Sequence, residues 1–304
     1  MWTTSYPSTG TAGRARAAPC VRTLLGMADV IRVTRGVWRR PDELADFAAR
    51  CAAILSACPA GTVVAGPAAA QLHGLWLPPS AARTIDVVLR RDAVVPRAHS
   101  HSMRAELRSR RRTLHPDEIV LVQGVPTTSA ARTWLDLSES VTMPDLVALG
   151  DSVLRGGDTG LADIADVLSR GYHRRGVVRA RQALPLLNAR SRSRPESHFR
   201  YALVSAGLPT PEVNLPIYND LGEWLAEPDL SYPDAMLALE YNGAEHAEAN
   251  RMRRDFTRTF DVQHRGRWRV ETFGPTEVFG RPDQTAQFVK ELRRERLNGR
   301  RRSA

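Results

Sequence analysis

The stretch at 228–243 alternates apolar and polar residues in short runs, which predicts strands rather than helices. Residues 228–243 predict two strands joined by a tight turn at Pro233-Asp234. Side chains alternate between the two faces of a strand. One face of the second strand therefore carries Met236, Ala238, Glu240 and Asn242, and the other carries Leu237, Leu239 and Tyr241.

Helices and further strands flank this hairpin. A helix begins after residue 191 with Pro195 and Glu196 in its first turn. The predicted order continues with a strand at 213–218, the hairpin, a helix at 243–264, a strand at 268–273 and a closing helix at 283–297.

The first half mixes the two kinds of pattern. It predicts a hairpin at 30–38, a helix at 41–58, a helix from Gly66, strands at 85–89 and 119–122, a helix capped by Thr128 or Ser129 that runs through Leu154 with a break near Pro144, and a helical stretch at 161–188. The fold class is therefore α/β of the mixed α+β kind, with helices and strands in both halves.

Composition adds charge to this picture. The chain has 304 residues, 43 Lys plus Arg against 33 Asp plus Glu, and a net charge of +10, which suits a polyanion such as DNA. The alternative is that the positive charge only makes an ordinary surface basic and indicates no polyanionic partner. Cys20, Cys51 and Cys58 indicate neither a disulfide framework nor a zinc cluster, and we expect Cys51 and Cys58 to share a helical face. No run approaches the ~20 apolar residues of a membrane span, so we expect a cytoplasmic protein.

Two carboxylates in the hairpin region are candidates for chemistry. Glu240 lies in an apolar strand, where a charge is costly to bury unless a positive group meets it. A divalent cation held by Asp229 and Glu240 would meet that need, because hard cations bind carboxylate oxygens. Spacing alone leaves an alternative without a metal: Asp229 is a turn carboxylate and Glu240 an edge-strand carboxylate, and both pair with nearby arginines.

The spacing of Pro228-Asp229 and Glu240-Tyr241-Asn242 resembles the PD-(D/E)XK nuclease motif, and Leu239 to Gly243 with His246 is similar to the DUF559 family, which is related to Vsr endonucleases. The likeness extends over residues 190–298 and implies an αβββαβ restriction-endonuclease-like domain. It implies Mg²⁺ or Mn²⁺ at Asp229 and Glu240, with a supporting contact from Glu196. For Glu196 a simple helix-dipole role is the alternative.

Five further positions complete the candidate site. Asn242 stands where the nuclease motif usually has Lys and this branch commonly has Asp, so activity is expected to be weak or absent. His246 is a candidate to contact a phosphate or the attacking water. Arg254 and Arg258 share a face of the predicted helix and, with Arg194, are candidate phosphate contacts; a surface pair of Asp255 with Arg258 is the alternative.

The first half resembles the AbiEi antitoxin family of type IV toxin-antitoxin systems, on residues 66–76 and 125–137 with Asp151 downstream. This likeness implies a DNA-binding ancestry and a toxin or other protein partner. The predicted organisation is a disordered stretch at 1–20, an antitoxin-like domain at 21–157, a helical linker at 158–190, the nuclease-like domain at 191–298 and a basic tail at 299–304.

Other polar groups have ordinary explanations. His73 lacks a catalytic partner nearby in sequence and is expected to pack. His99 and His101 lack a third metal ligand. The arginine run 108–112 predicts a solvated loop, with phosphate contact as the second choice. The functional hypotheses are a metal-dependent DNA endonuclease or nickase, a DNA-binding regulator without catalysis, and a partner-binding scaffold that does not bind nucleic acid.

Overall fold

A computed structural model of the protein describes residues 30–34, 37–81, 85–90, 107–171, 173–243 and 266–303. The chain divides into two compact units, Met1–Ala57 and Cys58–Ala304. It mixes helices with parallel and antiparallel strands, so the predicted α/β class is confirmed. The described residues contain no helix long and apolar enough to cross a membrane.

The described part of the first unit contains a small hairpin, a 3₁₀ turn and one α-helix. Strands β1 (Ile31–Thr34) and β2 (Val37–Arg39) pair antiparallel, which confirms the predicted hairpin. The predicted helix at 41–58 is wrong in extent: Pro41–Leu44 forms a 3₁₀ turn, and α1 covers Phe47–Leu55. The Asp46 side chain accepts the Ala49 N–H at 2.7 Å and starts the α-helix there.

The end of α1 also corrects the expectation for the cysteines. Cys51 is fully buried on the helix, whereas Cys58 lies three residues beyond Leu55 and shares no helical face with it. Burial raises the pKa of the Cys51 thiol to about 11. This thiol is therefore protonated and unreactive at neutral pH.

The second unit begins with a five-stranded mixed sheet in the order β5-β4-β3-β7-β6. Its strands are β3 (Thr62–Ala65), β4 (Ile85–Arg90), β5 (Leu107–Arg112), β6 (Ile119–Val122) and β7 (Val125–Thr128). The arginine run 108–112 was predicted as a loop, and this is wrong. It forms β5, paired in parallel with β4 at the sheet edge, and Arg112 lies within 3.5 Å of the Asp136 carboxylate.

Among the residues that the structure describes, five α-helices accompany this sheet. They are α2 (Gly66–Leu72), α3 (Ala130–Leu137), α4 (Met143–Arg155), α5 (Leu161–Arg170) and α6 (Val177–Ala183). Ser129 caps α3 by accepting the Arg132 N–H at 3.3 Å, as one of the two predicted caps. All five helices contribute to one apolar cluster around the fully buried Trp134, whose indole N–H donates to the Leu146 carbonyl at 2.9 Å.

The remainder of the second unit forms a four-stranded sheet in the order β13-β12-β11-β8. Its elements are α7 (Arg194–Ser205), β8 (Glu212–Val213), β11 (Leu230–Tyr232), β12 (Leu237–Tyr241), β13 (Arg269–Phe273) and α8 (Pro282–Ser303), with the hairpin β9 (Ile217–Tyr218) and β10 (Trp224–Ala226) inserted after β8. The predicted turn, strand alternation and closing helix are confirmed. The predicted helix at 243–264 lies outside the described residues apart from Gly243.

Two predicted boundaries in this region differ from the structure. The strand expected at 213–218 is broken into β8 and β9 by Asn214, whose φ is +48°. The helix α8 runs to Ser303 and so includes residues that were predicted as a basic tail.

The two faces of the four-stranded sheet pack against different partners. One face packs against α7 and α8 through a cluster that includes Leu230, Leu237 and Leu239. On the opposite face, Ala238 packs against the β9–β10 hairpin residues Ile217 and Leu225. A side chain's position along β12 therefore decides which environment it enters.

Helices α4 and α7 join the two sheets through buried charges. The Asp151 carboxylate is fully buried and accepts from the Asn188 N–H at 2.6 Å, the Ser197 hydroxyl at 2.7 Å and the Arg200 guanidinium at 2.5 Å. Arg200 also donates to the Leu186 carbonyl. Two donors on α7 and the backbone N–H of Asn188 thus converge on one carboxylate of α4.

Removal of Arg200 is expected to be strongly destabilising. Arg200→Met would leave the Asp151 charge buried without its cation and should lower the free energy of unfolding by about 3–5 kcal/mol. The double variant Asp151→Leu/Arg200→Met removes both charges and should recover part of that loss. Urea denaturation followed by circular dichroism measures both, with the exposed Arg155→Met on α4 as the control. A single Arg200→Met variant as stable as the control would contradict this expectation.

Candidate metal and nucleic-acid site

The strand register brings Asp229 and Glu240 to the same face of the sheet. Strands β11 and β12 are antiparallel, with Leu230 opposite Leu239. Continuing this register by one residue places Asp229 opposite Glu240. Leu230 and Leu239 enter the cluster under α7 and α8, so their neighbours point to the other face. The two carboxylates are thus neighbours across adjacent strands.

Two carboxylates placed opposite each other are candidates to share a divalent cation. Residues directly opposite in an antiparallel pair have Cβ atoms about 4.5–5.5 Å apart, close enough for two carboxylates to reach one ion. Both residues are half-buried. The Asp229 Oδ2 accepts the Tyr241 N–H at 2.7 Å, which fixes the orientation of this carboxylate.

The same row continues onto the two outer strands. Leu230 pairs with Val213 of β8, so Asn214 is adjacent to Asp229, and the Asn214 N–H donates to the Asp229 carbonyl at 3.1 Å. On the other side Glu240 pairs with Thr272 of β13. Asp229, Glu240 and Thr272 therefore lie side by side across the sheet, and Asn214 joins them through its backbone. Sequence reasoning missed Asn214 and Thr272, because neither belongs to a motif that links it to Asp229 and Glu240 in the sequence.

Glu196 is committed to hydrogen bonds at the start of α7. Its Oε2 accepts from the Arg192 N–H at 2.8 Å and the Asn214 Nδ2 at 2.9 Å, and its Oε1 accepts from the Ser193 hydroxyl at 2.8 Å. The side chain is 5% exposed. These contacts belong to the capping of α7, a structural role in the first turn of the helix, where the sequence left a helix-dipole role as the alternative. A contact from Glu196 to a metal stays a prediction.

Arg194 makes contacts within the fold. Its Nε and NH2 donate to the Asp145 Oδ1 of α4 at 3.0 and 2.7 Å, and its guanidinium lies 5.1 Å from the centre of the Phe279 ring. The His198 Nε2 contacts the same Asp145 oxygen at 2.9 Å. A phosphate contact by Arg194 would have to share the guanidinium with Asp145.

The remaining predicted site residues lie at or beyond the end of β12. Asn242 is exposed, and its N–H donates to the Phe273 carbonyl at 2.8 Å, which extends the pairing of β12 with β13. His246, Arg254 and Arg258 lie outside the described residues, so their proposed roles stay predictions.

Other candidate ligands give no cluster. Within the described ranges no group of three or more His, Cys, Asp or Glu side chains is placed to hold a metal ion. The His73 Nε2 lies 2.8 Å from the Thr128 carbonyl oxygen, a packing role as predicted. His99 and His101 lie outside the described residues.

No model of a known protein family matches the chain. Two curated relatives from Mycobacterium tuberculosis, uncharacterized protein MT2308 (strain CDC 1551 / Oshkosh) and uncharacterized protein Rv2248 (strain ATCC 25618 / H37Rv), are each 33% identical over 181 residues, which is 59% of this chain and 66% of each relative. The match thus spans just under two thirds of their length. Their names assign no activity.

A solved structure, that of the RV2827C protein from Mycobacterium tuberculosis, is also similar. It has a TM-score of 0.38 and 18% sequence identity, and the likeness covers 54% of this chain and 63% of that one.

The contacts of Asp145 with Arg194, His198 and Thr142 make the stability of the fold depend on pH. Burial alone would raise the pKa of the Asp145 carboxyl, but hydrogen bonds from His198, Thr142 and Arg194 outweigh it, and the pKa lies well below the usual 3.8. A lowered pKa in the folded state stabilises the fold above pH 3.8, and this contribution is lost progressively as the pH falls further.

Asp145→Asn should therefore lower the free energy of unfolding at neutral pH and flatten its decline in acid. Urea denaturation at pH about 7 and about 3 measures both effects. Asp158→Asn, on the exposed turn after α4, is the matched control and should keep the wild-type slope. An Asp145→Asn variant with the full wild-type decline would show that this cluster does not carry the acid sensitivity.

Proposed function

We propose that the part of the chain from residue 191 onward acts in the cytoplasm as an Mg²⁺- or Mn²⁺-dependent DNA endonuclease or nickase. The observation that carries this proposal is the antiparallel register that makes Asp229 and Glu240 neighbours on one face of the sheet. Two hard oxygen ligands on adjacent strands form a donor set suited to such a cation. The net charge of +10 supports a polyanionic substrate.

The side chains would divide the work. Asp229 and Glu240 would hold the cation, which polarises a phosphoryl oxygen and lowers the pKa of bound water. Asn242 can orient a water molecule by hydrogen bonds, but it has no charge to stabilise the anionic transition state. Weak activity follows from this substitution unless His246, Arg254 or Arg258 supplies the missing positive charge.

A second candidate is a DNA-binding regulator that keeps the fold without hydrolysis, working with a toxin or another protein partner. The contacts of Glu196 favour it, because both carboxylate oxygens of this residue already accept hydrogen bonds within the helix cap. Asn242 favours it for the reason given above. In this alternative the basic surface binds the DNA backbone and Asp229 and Glu240 are structural.

Plasmid nicking tests the first candidate. We expect wild-type protein with Mg²⁺ or Mn²⁺ to convert supercoiled DNA to the open circle, and a chelator to abolish this. Asp229→Asn retains an oxygen for the Tyr241 N–H, and Glu240→Gln retains the side-chain shape. Each should lower the rate about 100-fold or more, as when a group that stabilises transition-state charge is lost.

Asp234→Asn is the control for this assay, because Asp234 lies in the exposed turn of the same hairpin. Its nicking rate should match the wild type. Nicking at the wild-type rate in both Asp229→Asn and Glu240→Gln would point to a contaminating nuclease and remove the proposal.

DNA binding at two salt concentrations separates the second candidate from a scaffold that does not bind nucleic acid. A protein that neutralises several phosphates loses about 10³-fold or more in affinity between about 50 and 200 mM salt. We expect this loss in fluorescence anisotropy with a labelled duplex. Salt-sensitive binding without nicking would favour the regulator, and no binding at low salt would favour the scaffold.

A further inference from the structure

We infer that Asn214 is a positioning residue for the Asp229–Glu240 site, a role that rests on the metal-dependent function proposed above. Its side chain does not reach into the strand pair that carries the two acids. It acts on Asp229 through the backbone and connects that residue to the start of α7. Asn214 is 3% exposed, so its polar atoms have to be satisfied inside the protein.

The backbone of Asn214 has an uncommon conformation. Its φ of +48° is in the left-handed region, which Asn adopts more readily than other residues with a Cβ. This conformation ends β8 after Val213 and redirects the chain before β9. The Asn214 N–H then points at the Asp229 carbonyl, at 3.1 Å.

The side chain and carbonyl of Asn214 hold three more hydrogen bonds. The Nδ2 donates to the Glu196 Oε2 at 2.9 Å and to the Arg190 carbonyl at 2.8 Å. The Asn214 carbonyl accepts from the Arg190 NH2 at 2.7 Å. Both Nδ2 donors are thus used, and the residue joins the N-terminus of α7 to the residue that begins the acidic pair.

Residues 188–192 support the connection between the start of α7, Asn214 and Asp229. The Asn188 N–H donates to the buried Asp151 of α4, and Arg190 brackets Asn214 as described. Arg192 donates to both oxygens of Glu227 at 2.9 and 2.7 Å, two residues before Asp229. Alternate residues of one short segment therefore contact α4, Asn214 and the approach to the site.

Asp229 is consequently held from two sides. Asn214 fixes its carbonyl, and the Tyr241 N–H fixes its carboxylate at 2.7 Å. Metal ligands have to be held within about 0.5 Å of their working positions, and loss of an outer contact typically costs 10–100-fold in metal affinity. Loss of the Asn214 side chain should therefore change cation binding as well as stability.

Two substitutions separate the side chain from the backbone. Asn214→Gly adopts a positive φ easily and keeps the N–H and carbonyl contacts, so it removes only the Nδ2 donors. Asn214→Asp keeps the shape but places a carboxylate oxygen against Glu196 and the Arg190 carbonyl. The Asp variant should therefore disturb the site more than the Gly variant.

The test measures Mn²⁺ binding to the full chain by electron paramagnetic resonance, alongside thermal unfolding and the Mg²⁺ concentration for half-maximal nicking. We expect the Mn²⁺ dissociation constant to rise about 10-fold in Asn214→Gly and further in Asn214→Asp. Nicking should recover at saturating Mg²⁺ in the Gly variant. Ser197→Ala is the control, since it removes a buried hydrogen bond from α7 to Asp151.

The outcomes are distinct. Wild-type protein that binds no Mn²⁺ at Asp229 and Glu240 would remove the proposed function and this inference with it. Wild-type binding that is unchanged in both Asn214 variants would overturn the positioning role alone. A rise in the dissociation constant that is equally large in Ser197→Ala would show general weakening of α7 and would also overturn it.

Discussion

The arrangement of the second unit depends on carboxylates of α4 that are buried against α7. Taking a carboxylate out of water costs several kcal/mol, so Asp151 and Asp145 are tolerable only where donors meet them closely. Arg200 and Ser197 meet Asp151, while Arg194 and His198 meet Asp145. Because all four donors belong to α7, their contacts with the two carboxylates fix the rotation of that helix about its axis and its position along that axis. The same helix begins with Glu196, and its cap contacts the strand end at Asn214.

The candidate site follows from how the four-stranded sheet is buried on both sides. Leu230, Leu237 and Leu239 enter the cluster under α7 and α8, which forces Asp229 and Glu240 to the other face. On that face Ala238 packs under the β9–β10 hairpin, so the polar row begins where this cover ends. Half-buried carboxylates side by side repel each other unless a cation or a hydrogen-bond donor compensates. The Tyr241 N–H supplies one such donor.

The sequence predicted those features that depend on local pattern. The period-2 alternation around Glu240 and the turn at Pro233 gave the strand faces correctly, because both are set within a few residues. The role of Arg112 was not predictable in this way. Its run of like charges forms an edge strand, and Arg112 at the end of that strand forms ion pairs with Asp136 and Glu139, which follow much later in the chain. Asn214 was hidden for a different reason. A single Asn in an apolar run carries no signal that its backbone will have a positive φ.

The hydrogen bonds of Glu196 define how this residue is connected to the candidate site. With its oxygens engaged by Ser193, Arg192 and Asn214, Glu196 is linked to Asp229 through Asn214. If Asp229 and Glu240 hold a cation as proposed, Glu196 and Asn214 form an outer layer around these two ligands. Precise placement of Asp229 matters little if this residue only ends a turn, because a turn tolerates small displacements. It matters more if Asp229 and Glu240 have to bind one cation at a fixed distance from each other. If Asp229 and Glu240 hold a cation as proposed, the hydrogen bonds of Asn214 are contacts that set the position of Asp229 in that site.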